Sequence, residues 1–331
     1  MELQKIAVTG ATGHIGIVVV NELLQRGYQV RILTHRDKHF YENIAVESYH
    51  GDLEDSKAMD AFLEGCDALI HLAGKVSIDG DQQGRVAWIN VHCVRVIMES
   101  ALRMKLKRVV HVSSIHAYDP HPAFEVMDET RNFVGEDGYA YDRSKRDGQK
   151  VVMELCKQGL PAVIVNPTSV IGPPENALSL QGKAILQIYQ GKIPAVFRGG
   201  YDWVDVRDVA HSLCNALHLG EIGEAYFLSG KYLTMQELIG WVAKVKGVPL
   251  RVVTVPVWMV RLGLPFVKGM AWLTHKPPLY TAESIKILLE GNRFISHQKA
   301  RMALQHNPRD IETTLKDLIQ WIKEKGYISD L

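Results

Sequence analysis

The chain has 331 residues, of which 47% are hydrophobic and 23% are charged, and its net charge is +1. This length and composition are typical of one large globular domain, or of one domain with a smaller appendage. The 38 basic and 37 acidic residues form no basic run, which excludes nucleic-acid binding as the main function.

Short apolar runs alternate with longer amphipathic runs over the first half of the chain. The pattern predicts strands at 5–9, 29–34, 46–50, 68–72, 108–113 and 162–166, and helices at 14–26, 56–63, 85–104 and 139–157. Because parallel strands are joined by helical crossovers, this alternation predicts an α/β fold with a doubly wound, parallel Rossmann sheet.

After Pro167 the alternation ends. Shorter helices are predicted at 180–190, 206–219, 235–246 and 311–325, and one further strand at 225–228. We expect a Rossmann domain over 1–167, to which 201–230 returns. A smaller, interleaved and mostly helical substrate-binding domain is expected over 168–200 and 231–331. Ligands of such sheets bind at the carboxyl edge.

The most apolar segment, 255–273, contains Arg261, Pro265 and Lys268. These residues suit a buried or lid helix pair better than a bilayer span, with a membrane-surface patch as the alternative. The four cysteines form no CxxC pair and no signal peptide precedes the first strand, so we expect a cytoplasmic protein with reduced thiols and no integral membrane segment. No His/Asp/Glu cluster has the spacing of a metal site.

Three glycines separate the first strand from the first helix in the pattern G-x-x-G-x-x-G. Glycines let the backbone turn tightly and approach a pyrophosphate, and the helix N-terminus offers free N–H groups. A strand before the loop and a helix after it are the context that this motif requires. We therefore predict a dinucleotide site formed by Gly10, Thr12, Gly13, His14, Ile15 and Gly16.

The end of the second strand indicates which dinucleotide binds. NAD-binding sheets usually carry a carboxylate there for the ribose 2′-hydroxyl, but this chain has Thr34. Arg36 follows, and its guanidinium matches the geometry of a 2′-phosphate. We therefore expect NADP(H) rather than NAD(H), although Asp37 would favour NAD if the loop brought it to the ribose. Asp52, after the third strand, is a candidate partner of the adenine amino group.

Reactive side chains follow the fifth strand and begin the helix after it. Ser114 ends the strand, and Tyr141 and Lys145 lie four residues apart, hence on one helix face. An ammonium beside a phenol favours the phenolate and lowers the tyrosine pKa. This spacing predicts a tyrosine that exchanges protons with a substrate oxygen.

Together these motifs resemble the extended short-chain dehydrogenase/reductase family, also known as the NAD-dependent epimerase/dehydratase family. The matching pieces recur in the family's order: Thr9–Gly16, Asp52-Leu53, His71–Gly74, Asn90, Val112–Ser114, Tyr141-x-x-x-Lys145, Asn166–Thr168 and Trp203–Ala210. The second half is similar to dihydroflavonol-reductase-like and hopanoid-associated epimerase-like members, through residues 165–167 and 171–173, the apolar segment and Pro277-Pro278-Leu279.

The resemblance implies roles for these residues. Tyr141 would be the general acid/base, Lys145 would bind the nicotinamide ribose, and Ser114, four residues before Tyr118, would position the substrate oxygen. Related enzymes also pair the helices near 86–105 and 139–158 across a two-fold axis, which implies a homodimer. The implied cofactor contacts, beyond the glycine loop, are Asp52, Leu53, Leu72, Ala73, Gly74, Asn90, Val112, Tyr141, Lys145, Asn166 and Pro167.

The resemblance leaves several activities open. Dehydratases of the family carry Asp-Glu after the reactive hydroxyl, whereas Ile115-His116 stands here. Tyr201 stands at about the place of the arginine with which sugar-nucleotide enzymes hold a diphosphate, although Arg198 lies three residues earlier. We therefore favour an NADP-dependent carbonyl reductase of small apolar or amphipathic substrates, with His116 and Tyr201 lining the substrate pocket. A sugar-nucleotide epimerase and a non-catalytic NADP-binding sensor are the alternatives.

Overall fold

Seven parallel strands form the central sheet of the computed structural model, which describes residues 2–35, 41, 44–78, 80–193, 195–259 and 282–328. The predicted doubly wound α/β fold is confirmed, with strand order β10-β6-β5-β4-β1-β2-β3. These strands are β1 (Lys5–Thr9), β2 (Gln29–Thr34), β3 (Glu47–His50), β4 (Ala68–His71), β5 (Arg108–Val112), β6 (Ala162–Pro167) and β10 (Ala225–Leu228).

Helices cover both faces of this sheet, because successive strand side chains point to opposite sides. The helices are α1 (His14–Gln25), α2 (Ser56–Leu63), α4 (Cys93–Arg103), α5 (Ala140–Lys157) and α7 (Val206–Ala216). Val8 and Val110 pack on the face of α1 and α7, whereas Ala7 and Val109 pack on the face of α2, α4 and α5. Burial of each of these valine side chains contributes about 1.5–3 kcal/mol.

The single helix predicted over 85–104 is interrupted. A short helix α3 (Arg85–Ala87) runs into a π-helical turn (Trp88–His92) before α4 begins. Asn90 lies in this turn, and a Cβ atom at Gly148 of α5 would overlap its carbonyl oxygen. The close approach of α5 therefore accompanies the widened turn, a feature often found at functional sites.

The C-terminal half contains more strands than the sequence indicated. A second sheet has the order β11-β9-β7, and β8 pairs with β12. Their two to six residues show too little alternation to be recognised. The elements are β7 (Ser169–Ile171), β8 (Ala195–Val196), β9 (Gly200–Asp205), β11 (Lys231–Thr234), β12 (Val253–Thr254), α6 (Leu180–Tyr189), α8 (Met235–Lys246), α9 (Ala282–Glu290), α10 (Gln298–Leu304) and α11 (Ile311–Glu324).

A separate core holds these C-terminal elements together. Ile185 of α6, Trp203 of β9, Leu238 of α8 and Leu315 of α11 are buried in it. Within the sequence segment 201–230, β10 joins the large sheet whereas β9 pairs with β7 and β11. The division of the chain into two domains stays a prediction.

The apolar segment predicted over 255–273 lies, from residue 260 onward, outside the described residues. At its start, Trp258 and Met259 expose 61% and 47% of their surface, so neither is buried as expected for a core helix. Among the helices that the structure describes, none has the length and apolar character needed to cross a membrane.

Candidate functional site

The glycine loop between β1 and α1 lies against the end of β4. Gly10 has a φ of +68°, and a Cβ atom there would come within 2.7 Å of the Ala73 amide nitrogen. A Cβ atom at Gly16 would overlap the Gly10 carbonyl oxygen. Both positions therefore require glycine, and the loop turns sharply enough to leave the N-terminus of α1 open, as a bound pyrophosphate needs.

A hydrogen-bond network fixes the segment after β4 beside this loop. The Ala73 amide donates to Thr9 Oγ1 at 3.3 Å, and Thr9 Oγ1 lies 2.7 Å from His71 Nδ1. Asn90 accepts a bond from the Lys75 amide at 2.8 Å and donates to the Lys75 carbonyl at 2.9 Å. Asn90 thus anchors the π-helical turn to the segment that contains Gly74. Its predicted contact with the cofactor stays a prediction.

The three predicted catalytic side chains meet at the carboxyl ends of β5 and β6. Ser114 begins the 3₁₀ turn Ile115–Ala117, and its hydroxyl lies close enough to Tyr141 to oppose the rise of that phenol's pKa. Lys145, one turn further along α5, donates to the Val112 carbonyl at 3.2 Å. Its Nζ atom also lies beside Gly74, 3.7 Å from where a Cβ atom would be if that residue had one. The structure therefore brings these side chains together next to the glycine loop.

The protonation of this cluster differs from the sequence-based expectation. Burial raises the pKa of Tyr141 to about 12, and the negative charge of Asp142 adds to the rise, while the Ser114 hydrogen bond opposes it. Burial lowers the pKa of Lys145 to about 8. In the chain itself the pKa of Tyr141 is raised and not lowered as expected, because desolvation by burial is the largest influence on the phenolate. Tyr141 is a protonated donor at neutral pH.

A buried chain of amides supports Ser114 from below. Asn166 Nδ2 donates to the Ser114 carbonyl at 2.9 Å and to Gln149 Oε1 at 2.8 Å. Gln149 Nε2 donates in turn to the Tyr118 hydroxyl at 2.7 Å. The sequence analysis missed Gln149. A signal for it existed, since Gln149 follows Tyr141 and Lys145 at the same four-residue spacing on one face of α5.

His116 is held beside Tyr141 by a carboxylate that the sequence analysis also missed. Its Nδ1 atom lies 3.0 Å from Asp142 Oδ1, and its ring stands edge-on to the Tyr141 ring at a centroid distance of 5.7 Å. Burial lowers the pKa of His116, but the adjacent Asp142 carboxylate, together with the charge of Glu283, raises it above the ordinary value overall. The imidazolium form is thereby favoured at the site.

Two further histidines lie beneath the site. His71 and His111 are neighbours on β4 and β5, with stacked rings 5.5 Å apart. Burial lowers the pKa of His71 to about 3 and that of His111 well below its ordinary value, so both are neutral. His71 Nε2 and His111 Nδ1 have no hydrogen-bond partner within the described part of the chain.

Other predicted contacts lie less directly in the site. His14 donates through Nε2 to the Gly172 carbonyl at 2.6 Å, so its ring faces the segment after β7. Tyr201 packs against Trp203 with a centroid distance of 5.6 Å, and the Asp52 side chain is half-exposed. Arg36, the predicted partner of a 2′-phosphate, lies outside the described residues. The remaining predicted contacts lie at or after strand ends: Thr12 and Ile15 follow β1, Leu53 follows β3, Leu72 follows β4, and Pro167 ends β6.

The motif Trp203–Ala210 has a structural role. Asp205 accepts a hydrogen bond from the Arg207 amide at the start of α7 and pairs with the Arg207 guanidinium at 2.7 Å. Asp208 pairs with Arg309 at 2.7 Å. The first pair lies within the motif and the second joins α7 to the C-terminal segment before α11, so these charges are used within the protein.

Comparison with known proteins agrees with this geometry. Residues 6–228 match the model of the NAD dependent epimerase/dehydratase family. The chain is 32% identical to "Sterol demethylase protein B" of Methylococcus capsulatus over 97% of this chain and 99% of that protein. It is 28% identical to a "Putative dihydroflavonol 4-reductase" of Synechocystis over 97% and 95% of the two chains. The crystal structure of gox2253 superposes with a TM-score of 0.84 at 28% identity, covering 98% of this chain and all of that one (100%). The chain therefore belongs to the NAD-dependent epimerase/dehydratase family, a family of NAD(P)-dependent reductases and epimerases.

Proposed function

We propose that this protein reduces the carbonyl group of a small apolar or amphipathic ketone or aldehyde with NADPH. The observation that carries the proposal is that the Ser114, Tyr141 and Lys145 side chains lie together at the carboxyl ends of the strands, where the glycine loop opens. Two neighbouring hydroxyl groups can both reach one substrate oxygen, as carbonyl reduction requires.

The glycine loop and Lys145 would hold NADPH, which would supply a hydride to the carbonyl carbon and leave as NADP⁺. Tyr141 gives its hydroxyl proton to the carbonyl oxygen, so that C=O becomes an alcohol. The raised pKa of Tyr141 keeps this proton in place until charge develops on the substrate oxygen. Ser114 holds that oxygen through a hydrogen bond, and the tyrosinate afterwards regains a proton from solvent.

The residues of the site fit a dinucleotide. Glycine at positions 10 and 16 permits the tight turn that opens the N-terminus of α1 to a pyrophosphate. Lys145, beside Gly74, supports a contact with the nicotinamide ribose. The strand end offers no carboxylate for the adenine ribose, since Thr34 is buried and donates to the Tyr49 carbonyl at 3.2 Å. This neutral strand end, followed by Arg36 in the sequence, supports NADP(H) over NAD(H).

Reduction is favoured over the other reactions of the family by what surrounds Ser114. Ile115 and His116 follow it, so the Asp-Glu pair of dehydratases is lacking. The relative named as a putative dihydroflavonol reductase matches nearly the whole chain, which supports a reductase. Epimerisation of a sugar nucleotide, and cofactor binding without turnover, are the two alternatives that an experiment must separate.

The test is NADPH consumption with a panel of ketones and aldehydes. We expect Tyr141→Phe to bind NADPH normally and to lose about 10²–10⁴-fold in kcat, because only the transferable proton is removed. Tyr139→Phe is the matched control, since Tyr139 lies two residues away and packs against Lys286 instead. A Tyr141→Phe enzyme within threefold of wild type would refute the assignment. Interconversion of UDP-sugars without NADPH consumption would establish the epimerase instead.

A further inference from the structure

His116 and Asp142 form a histidine–carboxylate pair within the candidate active site, and carbonyl reduction by Ser114, Tyr141 and Lys145 does not use it. The His116 side chain is 32% exposed, whereas Asp142 is largely covered. A carboxylate that is shielded in this way orients a histidine ring through one nitrogen and leaves the other nitrogen to a ligand.

The position of the pair relates it to the substrate oxygen. The His116 amide donates to Ser114 Oγ at 3.3 Å, and the His116 ring stands edge-on to Tyr141. His116 therefore belongs to the same wall of the site as the two hydroxyls that receive the carbonyl. Nδ1 faces Asp142, and Nε2, on the other side of the ring, makes no hydrogen bond with any residue that the structure describes.

The charges around His116 determine whether its Nε2 atom carries a proton and can donate a hydrogen bond. Asp142, Tyr141 and Lys145 face it from α5, and Glu283 acts on it from α9. The two carboxylates stabilise the imidazolium and outweigh the opposing charge of Lys145 and the cost of burial. In the imidazolium form both ring nitrogens are donors, so Nε2 presents an N–H group to an acceptor atom.

We propose that His116, held by Asp142, binds a second acceptor oxygen of the substrate, so that the enzyme prefers carbonyl compounds with another oxygen function near the reacting carbonyl. The inference rests on the proposed carbonyl reduction. The acceptor is a carbonyl or a carboxylate oxygen, since the imidazolium N–H group bonds both. Because the His116 and Tyr141 rings are neighbours, with centroids 5.7 Å apart, the second oxygen function lies close to the reacting carbonyl.

Three aryl ketones of similar size test this preference. Butyrophenone has no second oxygen, ethyl benzoylacetate has a neutral one, and benzoylacetate has a carboxylate. We expect wild type to have a higher kcat/KM for the two oxygenated ketones than for butyrophenone. In His116→Phe, which keeps an aromatic ring but removes the donor, this preference should fall by about 10- to 150-fold, the range for a hydrogen bond to a charged group. The oxygenated ketone whose preference over butyrophenone decreases more in His116→Phe identifies the acceptor as a neutral carbonyl or a carboxylate.

Controls separate a binding role from a structural one. His116→Gln keeps an N–H donor and should restore part of the preference. His211→Phe, at a half-exposed histidine paired with Glu22, should leave the preference at the wild-type value. In wild type the preference should be highest at low pH and fall as pH rises through the pKa of His116, because the donor proton is lost there. Asp142→Asn should move this fall to lower pH.

The outcomes distinguish the two proposals. Reduction of all three ketones with an unchanged preference in His116→Phe, and a preference independent of pH in wild type, would overturn the role of His116 and leave carbonyl reduction intact. No NADPH consumption by wild type with any carbonyl compound would overturn both. The pH dependence needs no variant, so the proposal stays testable if His116→Phe does not fold.

Discussion

Replacement of Gln149 by methionine tests whether the buried amide chain holds the active site together. Gln149 is fully buried and makes two hydrogen bonds, to Tyr118 at 2.7 Å and from Asn166 at 2.8 Å. Methionine has nearly the same volume, so the change removes both bonds without a large cavity. The Tyr118 hydroxyl and one N–H group of Asn166 are then left without their partner in buried surroundings.

The expected cost follows from these two groups. Each buried polar group that loses its partner costs about 1–3 kcal/mol, so Gln149→Met should destabilise the fold by about 2–6 kcal/mol. That loss is large against a typical unfolding free energy of about 5–15 kcal/mol. Asn166 retains its bond to the Ser114 carbonyl at 2.9 Å, which favours the lower part of the range.

Urea unfolding of wild type and variant measures the difference in unfolding free energy. Gln320→Met is the control, because this exposed side chain bonds Glu324 at the surface and its replacement should change stability by about 0.5 kcal/mol or less. Adding Tyr118→Phe to Gln149→Met should recover part of the loss, since the stranded hydroxyl disappears. If Gln149→Met is as stable as the Gln320→Met control, the amide chain does not stabilise the site.

Three further predictions concern charge and assembly. Lys145 has a pKa of about 8, so it is charged below this pH and neutral above it, and the rate of reduction should fall as pH rises through about 8. A rate that stays level to about pH 10, as for an unperturbed lysine, would contradict this. Arg36→Ala should raise the Kd for NADPH about 10- to 150-fold and leave that for NADH nearly unchanged, as titration of both cofactors can show. Light scattering should give twice the chain mass of 37.2 kDa at micromolar concentration, and a monomer would disprove the expected homodimer.

The sequence alone predicted the central sheet and the main parts of the site, because these depend on local patterns. Alternating apolar and amphipathic runs specify parallel strands with crossover helices, and the glycine loop is read from spacing within one turn. Tyr141 and Lys145 share a face because they are one helical turn apart. Ser114 meets them because parallel strands bring their carboxyl ends to one edge.

The tertiary structure decided what depends on residues far apart in the chain. Asn166 supports Ser114 from 52 residues away, and Asp142 holds His116 from the next helix. The interrupted helix around Asn90 depends on the approach of Gly148, and the short strands of the second sheet form only by pairing with one another. The pKa of Tyr141 also depends on tertiary structure, because packing determines how deeply the side chain is buried. The YxxxK spacing predicts an activated phenolate. In the folded chain the proton stays on the tyrosine, because desolvation penalises the charged form.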